Sequence, residues 1–437
     1  MEKLLEMAKK VSDKAEVYSI GYTHNSVSFK NAKLHGIESK IQSGASLRII
    51  KDNKLGFAYT RNLANRQELL QNAIDSLEGE VEANYDFPLT EKLARIDTFD
   101  PSLENVLSTQ MVEESARVCD LLKSETDAEI SVSSTTYTET IRVMNSCGTD
   151  ISGESTFYVM YGSLVFPGSA SGIWGAFLSK DFRQMPENIL NEMIKLYTSS
   201  SKIVEPKGGK MKIMFMPNSM IALKWRISIG TSSKSVYEKV SPIANKVGEK
   251  IFDERITIHD DPLNDKHPGA RAFDDEGVAC KPLTIIENGV LKSFYYDLDY
   301  ASKLKAKPTG HGHRTTAWGG DPISIKPVPA LTHMIMEPGK KSFSDLVKSI
   351  DRGIILEGAL GAHSGNIPNG DFSIGVSPGL YVENGEIVGR VKDAMVAGNI
   401  YEMLKQVVDI GDTLYPSWGT AWLPPILCDN VSVTTKN

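Results

Sequence analysis

Two dipeptides, Asn288-Gly289 and Asn384-Gly385, limit the folds open to this chain more than any other feature. Apolar alternation flanks each one, with Ile286, Val290 and Leu291 around the first and Val382 and Ile387 around the second. A two-residue hairpin turn needs positive φ at both central residues, and Asn-Gly supplies it at little steric cost. The two segments are close variants of each other and read as one local solution used twice. They make the region from about residue 205 onward a mostly antiparallel β domain.

The second hairpin lies within residues 358–404, where nine glycines fall between Gly358 and Gly398, of 35 in the whole chain. Such density marks backbone that takes positive φ or lets another backbone approach closely. The polar residues His363, Ser364, Asn366, Asn369 and Asp371 sit between these glycines and follow no helical spacing. A helix with capping Ser342 and Asp345 is expected over 342–350, and another over 399–408.

The first 200 residues alternate strands with a few helices. An opening helix carries Leu4, Leu5, Ala8 and Val11 on one face. Strands are expected at 16–23, 27–34, 45–50, 55–60, 128–134, 140–145, 157–166 and 172–179. Asn65 and Glu68 form a capping pair ahead of a helix with Leu69, Leu70 and Ala73. Further helices carry Met111, Ser115, Val118 and Leu122, and then residues 187–197. The polar run 79–100 reads as a linker, and Ser199 to Gly209 as the joint between domains. Strands in runs with helices at their ends give an α+β class of two domains, 1–200 and 205–437, with a subdivision near 80–100 left open. At 437 residues, two cores are expected.

A net charge of −7 without a basic run argues against direct nucleic-acid binding. The nearest basic cluster, Lys303 to Lys307 with His311, His313 and Arg314, reads as a solvated loop. No apolar window is long enough to span a membrane, and the N-terminus lacks the pattern of a secretory signal. Four well-separated cysteines without a CxxC pair fit a reducing cytoplasm.

Catalytic patterns are weak. Gly375-Val376-Ser377-Pro378-Gly379 matches GxSxG, but a strand follows in place of the required helix, and Pro378 has no N–H to offer an oxyanion. His311 and His313 are the weaker candidates for metal ligands, the third donor coming from His267, His333, His363 or a distant carboxylate. The runs Asp260-Asp261 and Asp274-Asp275-Glu276 lack calcium-loop spacing and read as solvated loops. Tyr295, Tyr296, Tyr300, Trp418 and Trp422 are expected in a core or an interface. The surviving candidate is a peptide-holding surface made by His363, Ser364, Gly365, Asn366, Asp371 and Ser373, using mainly main-chain hydrogen bonds. A purely structural crossover explains the same glycines equally well.

Several segments resemble the TldD/PmbA family. They are Gly365-Asn366, Asn369-Gly370-Asp371-Phe372-Ser373, Val382 to Ile387, Ala397-Gly398-Asn399, Met403-Leu404, Pro282 to Gly289, Tyr296-Asp297 and Thr309-Gly310. Gly44 to Arg48, Gly56-Phe57-Ala58 and Asn145 to Gly148 continue the likeness in the first half. The resemblance implies a cytoplasmic metalloprotease in which a TldD-type chain carries HExxxH and zinc and pairs with a PmbA-type (TldE) chain lacking it. The family is also linked to modulation of DNA gyrase. Here Lys224-Trp225-Arg226-Ile227-Ser228-Ile229 occupies the expected place of the zinc helix, and no HExxxH occurs anywhere. Cys428 follows Pro424-Pro425, whereas the family's cysteine ligand precedes such a pair, and it is not carried over. The expectation is therefore a PmbA-type subunit with no catalytic residue and no cofactor of its own, the zinc residing in a TldD-type partner. The alternative is a stand-alone, non-enzymatic peptide-binding or regulatory homodimer.

Overall fold

A computed structural model describes residues 1–316, 319–417 and 421–436. The first half builds one six-stranded antiparallel sheet. Helix α1 (Glu2–Ala8) precedes β1 (Lys14–Lys30), β2 (Lys33–Lys51) and β3 (Lys54–Thr60). Helices α2 (Arg66–Asp75) and α3 (Ser108–Glu125) follow, then β4 (Glu129–Asn145), β5 (Asp150–Val165), β6 (Gly172–Ser179) and α4 (Glu187–Ser199). The strand order is β3-β2-β1-β4-β5-β6.

These strands run much longer than the sequence pattern suggests. Residues 16–23 and 27–34 are expected as two strands, but the chain stays extended through 24–26 and turns only at Asn31 and Ala32, with φ of 52° and 54°. Similarly, 128–134 and 140–145 merge into β4, and β2 continues twelve residues beyond its expected start at residue 45. The outer parts are half-exposed on both faces, so the alternation that betrays a strand fades there.

The second half forms a ten-stranded mixed sheet. Its central pair is β8 (Gly209–Phe215) and Arg352–Leu356, which run parallel, and the short β7 (Ile203–Val204) lies at one edge. The opposite edge is Ala359–Leu360, paired among the described residues only with Asp371–Val376. A separate six-stranded sheet contains both Ile258–Asp260 and the first Asn-Gly hairpin. Both Asn-Gly turns form as expected, with positive φ at Asn288, Gly289, Asn384 and Gly385. Helix α5 (Ile221–Thr231) lays Ala222, Leu223, Ile227 and Gly230 into a core with Ile213, Phe215, Phe372 and Ile374. A second core joins the halves, with Met111, Val118 and Leu122 of α3 and Leu190 and Met193 of α4 packing with Met214, Ile355 and Leu380.

Two further expectations change. The helix expected over 399–408 ends at Met403, and Val407–Ile410 is a strand against Ile426–Thr434. The β-branched Val407, Val408 and Ile410 suit that sheet surface. The polar run 79–100 is a strap whose Tyr85 and Phe87 are buried against Ile50 and Leu298. Among the described residues, no helix is long and apolar enough to cross a membrane.

Candidate functional site

The glycine-rich stretch leaves the sheet after edge strand Ala359–Leu360, loops through residues 361–370 and returns as Asp371–Val376. Gly365 has φ of +103°, and a Cβ there would stand 2.6 Å from Asp371 O, so glycine is required for both reasons. Asp371 accepts amide N–H bonds from Asn399 at 2.7 Å and Asn369 at 3.0 Å, and these hold its carboxyl below the usual carboxylate range. Asn366 closes a local turn, its Oδ1 accepting from Asn369 N–H and its carbonyl from Asp371 N–H. Ser373 lies in the strand opposite Ala397. His363, Gly365 and Asn366 are exposed, whereas Ser364, Asp371 and Ser373 are half-buried.

Arg226 of α5 anchors the underside of this loop. Its Nε donates to Asp371 O at 2.7 Å, Nη2 to Ser364 O at 2.7 Å, and Nη1 to Ala362 O at 2.9 Å and Ala222 O at 2.8 Å. Arg226 is wholly buried, and its guanidinium lies 6.0 Å from the Phe372 ring centroid. A rigid planar fork with five donors can serve several carbonyls at once, as a lysine amine cannot. Arg226 thus binds three points of the candidate loop to one helix. The sequence shows an arginine in a helix and gives no sign of its partners, which stand 136 to 145 residues away.

The same helix does not suit zinc, which takes thiolate, imidazole or carboxylate donors. Trp225 and Ile229 offer none. Burial pushes the Lys224 ammonium down to about 8, which leaves it mostly protonated at neutral pH. The Arg226 guanidinium adds a fixed positive charge two residues further on.

The histidines and acidic runs assemble elsewhere, at the joint between the two halves, and there the expectation of solvated loops fails. Asp260, Asp274, Asp275, Glu276, His311, His313 and Arg314 are all buried. Arg48 on β2 clasps Glu16 on β1 with Nε–Oε1 at 2.9 Å and Nη2–Oε2 at 2.6 Å, and its Nη1 reaches Glu276 at 2.8 Å. Asp275 accepts from Arg271 Nη2 and from Arg314 N–H, each at 2.7 Å. Asp274 accepts backbone N–H groups from Glu276, Val278 and Gly312. Every acid in the run is thereby paired or capped, which is the condition for burying it. Lys303, Lys305 and Lys307 alone keep the exposed character expected of that cluster.

His311 and His313 face different partners. His311 Nε2 lies 3.3 Å from Asp260 Oδ2, and its Nδ1 is 2.9 Å from Thr309 Oγ1. His313 Nδ1 is 3.3 Å from Arg271 Nη1, and burial together with that guanidinium pushes its imidazolium down to about 3. Among the described residues, no group of three or more His, Cys, Asp or Glu side chains could hold a metal ion. His267 stacks on Trp422 at 3.8 Å, and Tyr295 is buried with its hydroxyl donating to Ser228 O. Trp418 lies outside the described residues. The four cysteines are free, and only Cys147 is exposed.

Residues 208–435 match the family described as PmbA/TldA metallopeptidase C-terminal domain, and residues 15–78 match PmbA/TldA metallopeptidase domain 1. A metalloprotease of Methanocaldococcus jannaschii is 28% identical over 428 residues, covering 93% of this chain and 90% of that protein. The crystal structure of TldE from Thermococcus kodakarensis superposes with a TM-score of 0.89 at 24% identity, covering 99% of both chains. A Thermotoga maritima protein described as a proposed modulator of a DNA gyrase superposes at 0.85, also at 24% identity and 99% of both chains. The matched sequence model covers more than half of the chain, and the protein belongs to the TldD/PmbA metallopeptidase family.

Proposed function

We propose that this chain is the PmbA/TldE-type subunit of a cytoplasmic metalloprotease. It holds an unstructured peptide while a TldD-type partner supplies the zinc and the hydrolytic chemistry. The observation that carries this reading is Arg226. At the place where the family resemblance puts a zinc helix, the helix carries a guanidinium fully engaged with main-chain oxygens of the glycine-rich loop.

That engagement fixes the inner side of the loop and leaves an outer side of exposed main chain at Gly365 and Asn366, next to the edge strand Ala359–Leu360. An edge strand with unpaired N–H and C=O groups can add an extended peptide with little regard to its side chains. His363, Ser364, Gly365, Asn366, Asp371 and Ser373 lie on the loop and strand that follow that edge, and their role toward peptide is part of the proposal. The stand-alone reading would have the same surface bind peptide without turnover.

The test is to purify the chain alone and together with an HExxxH-bearing relative, then follow zinc content and cleavage of an unstructured peptide. The proposal expects turnover only in the mixture. Stoichiometric zinc and cleavage by the isolated chain would overturn it, and failure to associate with such a relative would favour the stand-alone reading.

A further inference from the structure

Residues 91–96 cross the joint between the two halves as a strap pinned at both ends. At one end Thr90 donates its N–H to Thr149 Oγ1 at 2.8 Å and its hydroxyl to Gly277 O at 2.7 Å. At the other, Asp97 N–H reaches Asp265 Oδ2 and Thr98 Oγ1 reaches Glu154 O, each at 2.7 Å. Between the pins, neither the N–H nor the C=O of any residue from 91 to 96 bonds to another described residue. Beneath the strap lies a cleft of about 540 Å³. Its floor is Glu139 and Ile141 of β4 with residues 152–155 of β5, and its far wall is the loop 269–273.

A second run of open main chain faces the same cleft. Strand β6 pairs with β5 only from Tyr158 to Val165, so residues 150–157 have β4 on one side and, among the described residues, no strand on the other. Along such an edge, alternate residues turn N–H and C=O outward. Thr156 and Glu154 are in that phase, since Thr156 N–H donates to Thr98 O at 2.9 Å and Glu154 O accepts from Thr98 Oγ1. Ser152 follows in the same phase, and its N–H and C=O, like the Glu154 N–H, have no outward bond among the described residues.

Glu139 supplies the charge. Among the described residues its carboxylate has no salt-bridge partner, and its one hydrogen bond, from the Tyr137 hydroxyl, is long at 3.5 Å. Arg271 on the opposite wall is already engaged with Phe273 O, His313 and Asp275. Burial raises the Glu139 carboxyl above its ordinary range, and a cation brought against it offsets that effect. Ile141 and Phe273, both buried, add an apolar surface. A small amine would use the carboxylate and leave the main chain idle, whereas an extended peptide with a cationic side chain uses both.

We propose that this cleft binds an extended peptide segment, its main chain bonding the β5 edge at Ser152 and Glu154 and a lysine or arginine side chain meeting Glu139. The cleft shares no residue with the glycine-rich loop, and the proposal does not rest on the reading of that loop.

Fluorescence anisotropy with the full chain tests it, using a short labelled peptide of glycine, serine and valine with one central arginine. The same peptide with glutamine at the centre, and free arginine amide as a competitor, separate charge from main chain. The arginine peptide is expected to bind with a dissociation constant on the order of 10 μM, and the glutamine peptide about tenfold more weakly. Glu139→Gln should lower the arginine peptide to the level of the glutamine peptide and leave the latter unchanged. Ser152→Pro removes an edge N–H that no described residue uses, and should weaken both peptides about fivefold. Circular dichroism checks the fold of both variants. An arginine peptide that does not bind at roughly 1 mM overturns the proposal. Equal affinity of the unaltered chain and Glu139→Gln for the arginine peptide also overturns it, and leaves the reading of the glycine-rich loop untouched. So does displacement by arginine amide together with normal binding to Ser152→Pro, since the ligand would then be a small amine.

Discussion

At the joint between the two halves, Glu16, Arg48, Arg271, Asp275, Glu276 and Arg314 neutralise one another, drawing on strands β1 and β2 and on loops more than 200 residues away. At the glycine-rich loop one cation, Arg226, donates to main-chain oxygens, and His363, Gly365 and Asn366 on the outer surface are exposed. The joint has the residue types of a catalytic or metal centre, but its carboxylates already have partners. The loop has few such residues, but its backbone is accessible. Residue chemistry alone would choose the joint as the site, whereas the proposed function uses the accessible backbone of the loop.

The contrast can be broken most strongly at Arg48. Arg48→Met leaves Glu276 buried without its cation and Glu16 with only the longer contact to Arg314 at 3.4 Å, and removing one partner of a buried pair costs about 3–5 kcal/mol. The loss should appear in global thermal unfolding, with hydrogen exchange over 359–371 changed only in step with it. Arg226→Lys keeps the charge but gives up the planar fork, leaving buried loop carbonyls unpaired at a cost of about 2–3 kcal/mol. Here the order of effects reverses, and exchange across 362–371 should speed up before the rest of the molecule opens.

Glu357 offers an intermediate case, a buried carboxylate at the start of the glycine-rich stretch whose Oε1 has no hydrogen-bond partner among the described residues. Burial, with Glu192 nearby, pushes its carboxyl up to about 8 from an ordinary value of 4.5. Between these values the unfolded chain holds fewer protons than the folded one. Stability therefore falls as pH rises from about 4.5 to about 8 and levels off above. Glu357→Gln should flatten that slope and stabilise the protein at pH 8 by about 2 kcal/mol, as read from denaturant unfolding at several pH values. If the slope is unchanged, another group is responsible for it. A change of similar size and opposite sign is expected from Gly365→Ala, where a strained φ and a Cβ 2.6 Å from Asp371 O together cost about 2 kcal/mol, measured by urea unfolding.

Much of the fold was legible because its signals are local. The Asn-Gly turns, the caps at Asn65 and Ser342, and the apolar spacing of α3 each act within a few residues. The β1–β2 hairpin was obscured because its turn is Asn31-Ala32, without glycine, and its outer strands lack one-sided burial. The acidic runs were misread as solvated because their partners lie far away in sequence, Arg48 being 228 residues from Glu276. The glycine-rich loop could be identified by composition, but Arg226 beneath it could not, since a buried arginine and an exposed one look alike in sequence.

The central claim is that this chain holds peptide and leaves hydrolysis to a zinc-bearing relative. Its most direct test is the cleavage rate of an unstructured peptide, measured for the isolated chain, for an HExxxH-bearing relative and for the two mixed, with zinc quantified in each. The account predicts no zinc-dependent turnover by this chain and a rate in the mixture above that of the relative alone. Bound zinc at one per chain, with cleavage that persists in its partner's absence, would contradict it.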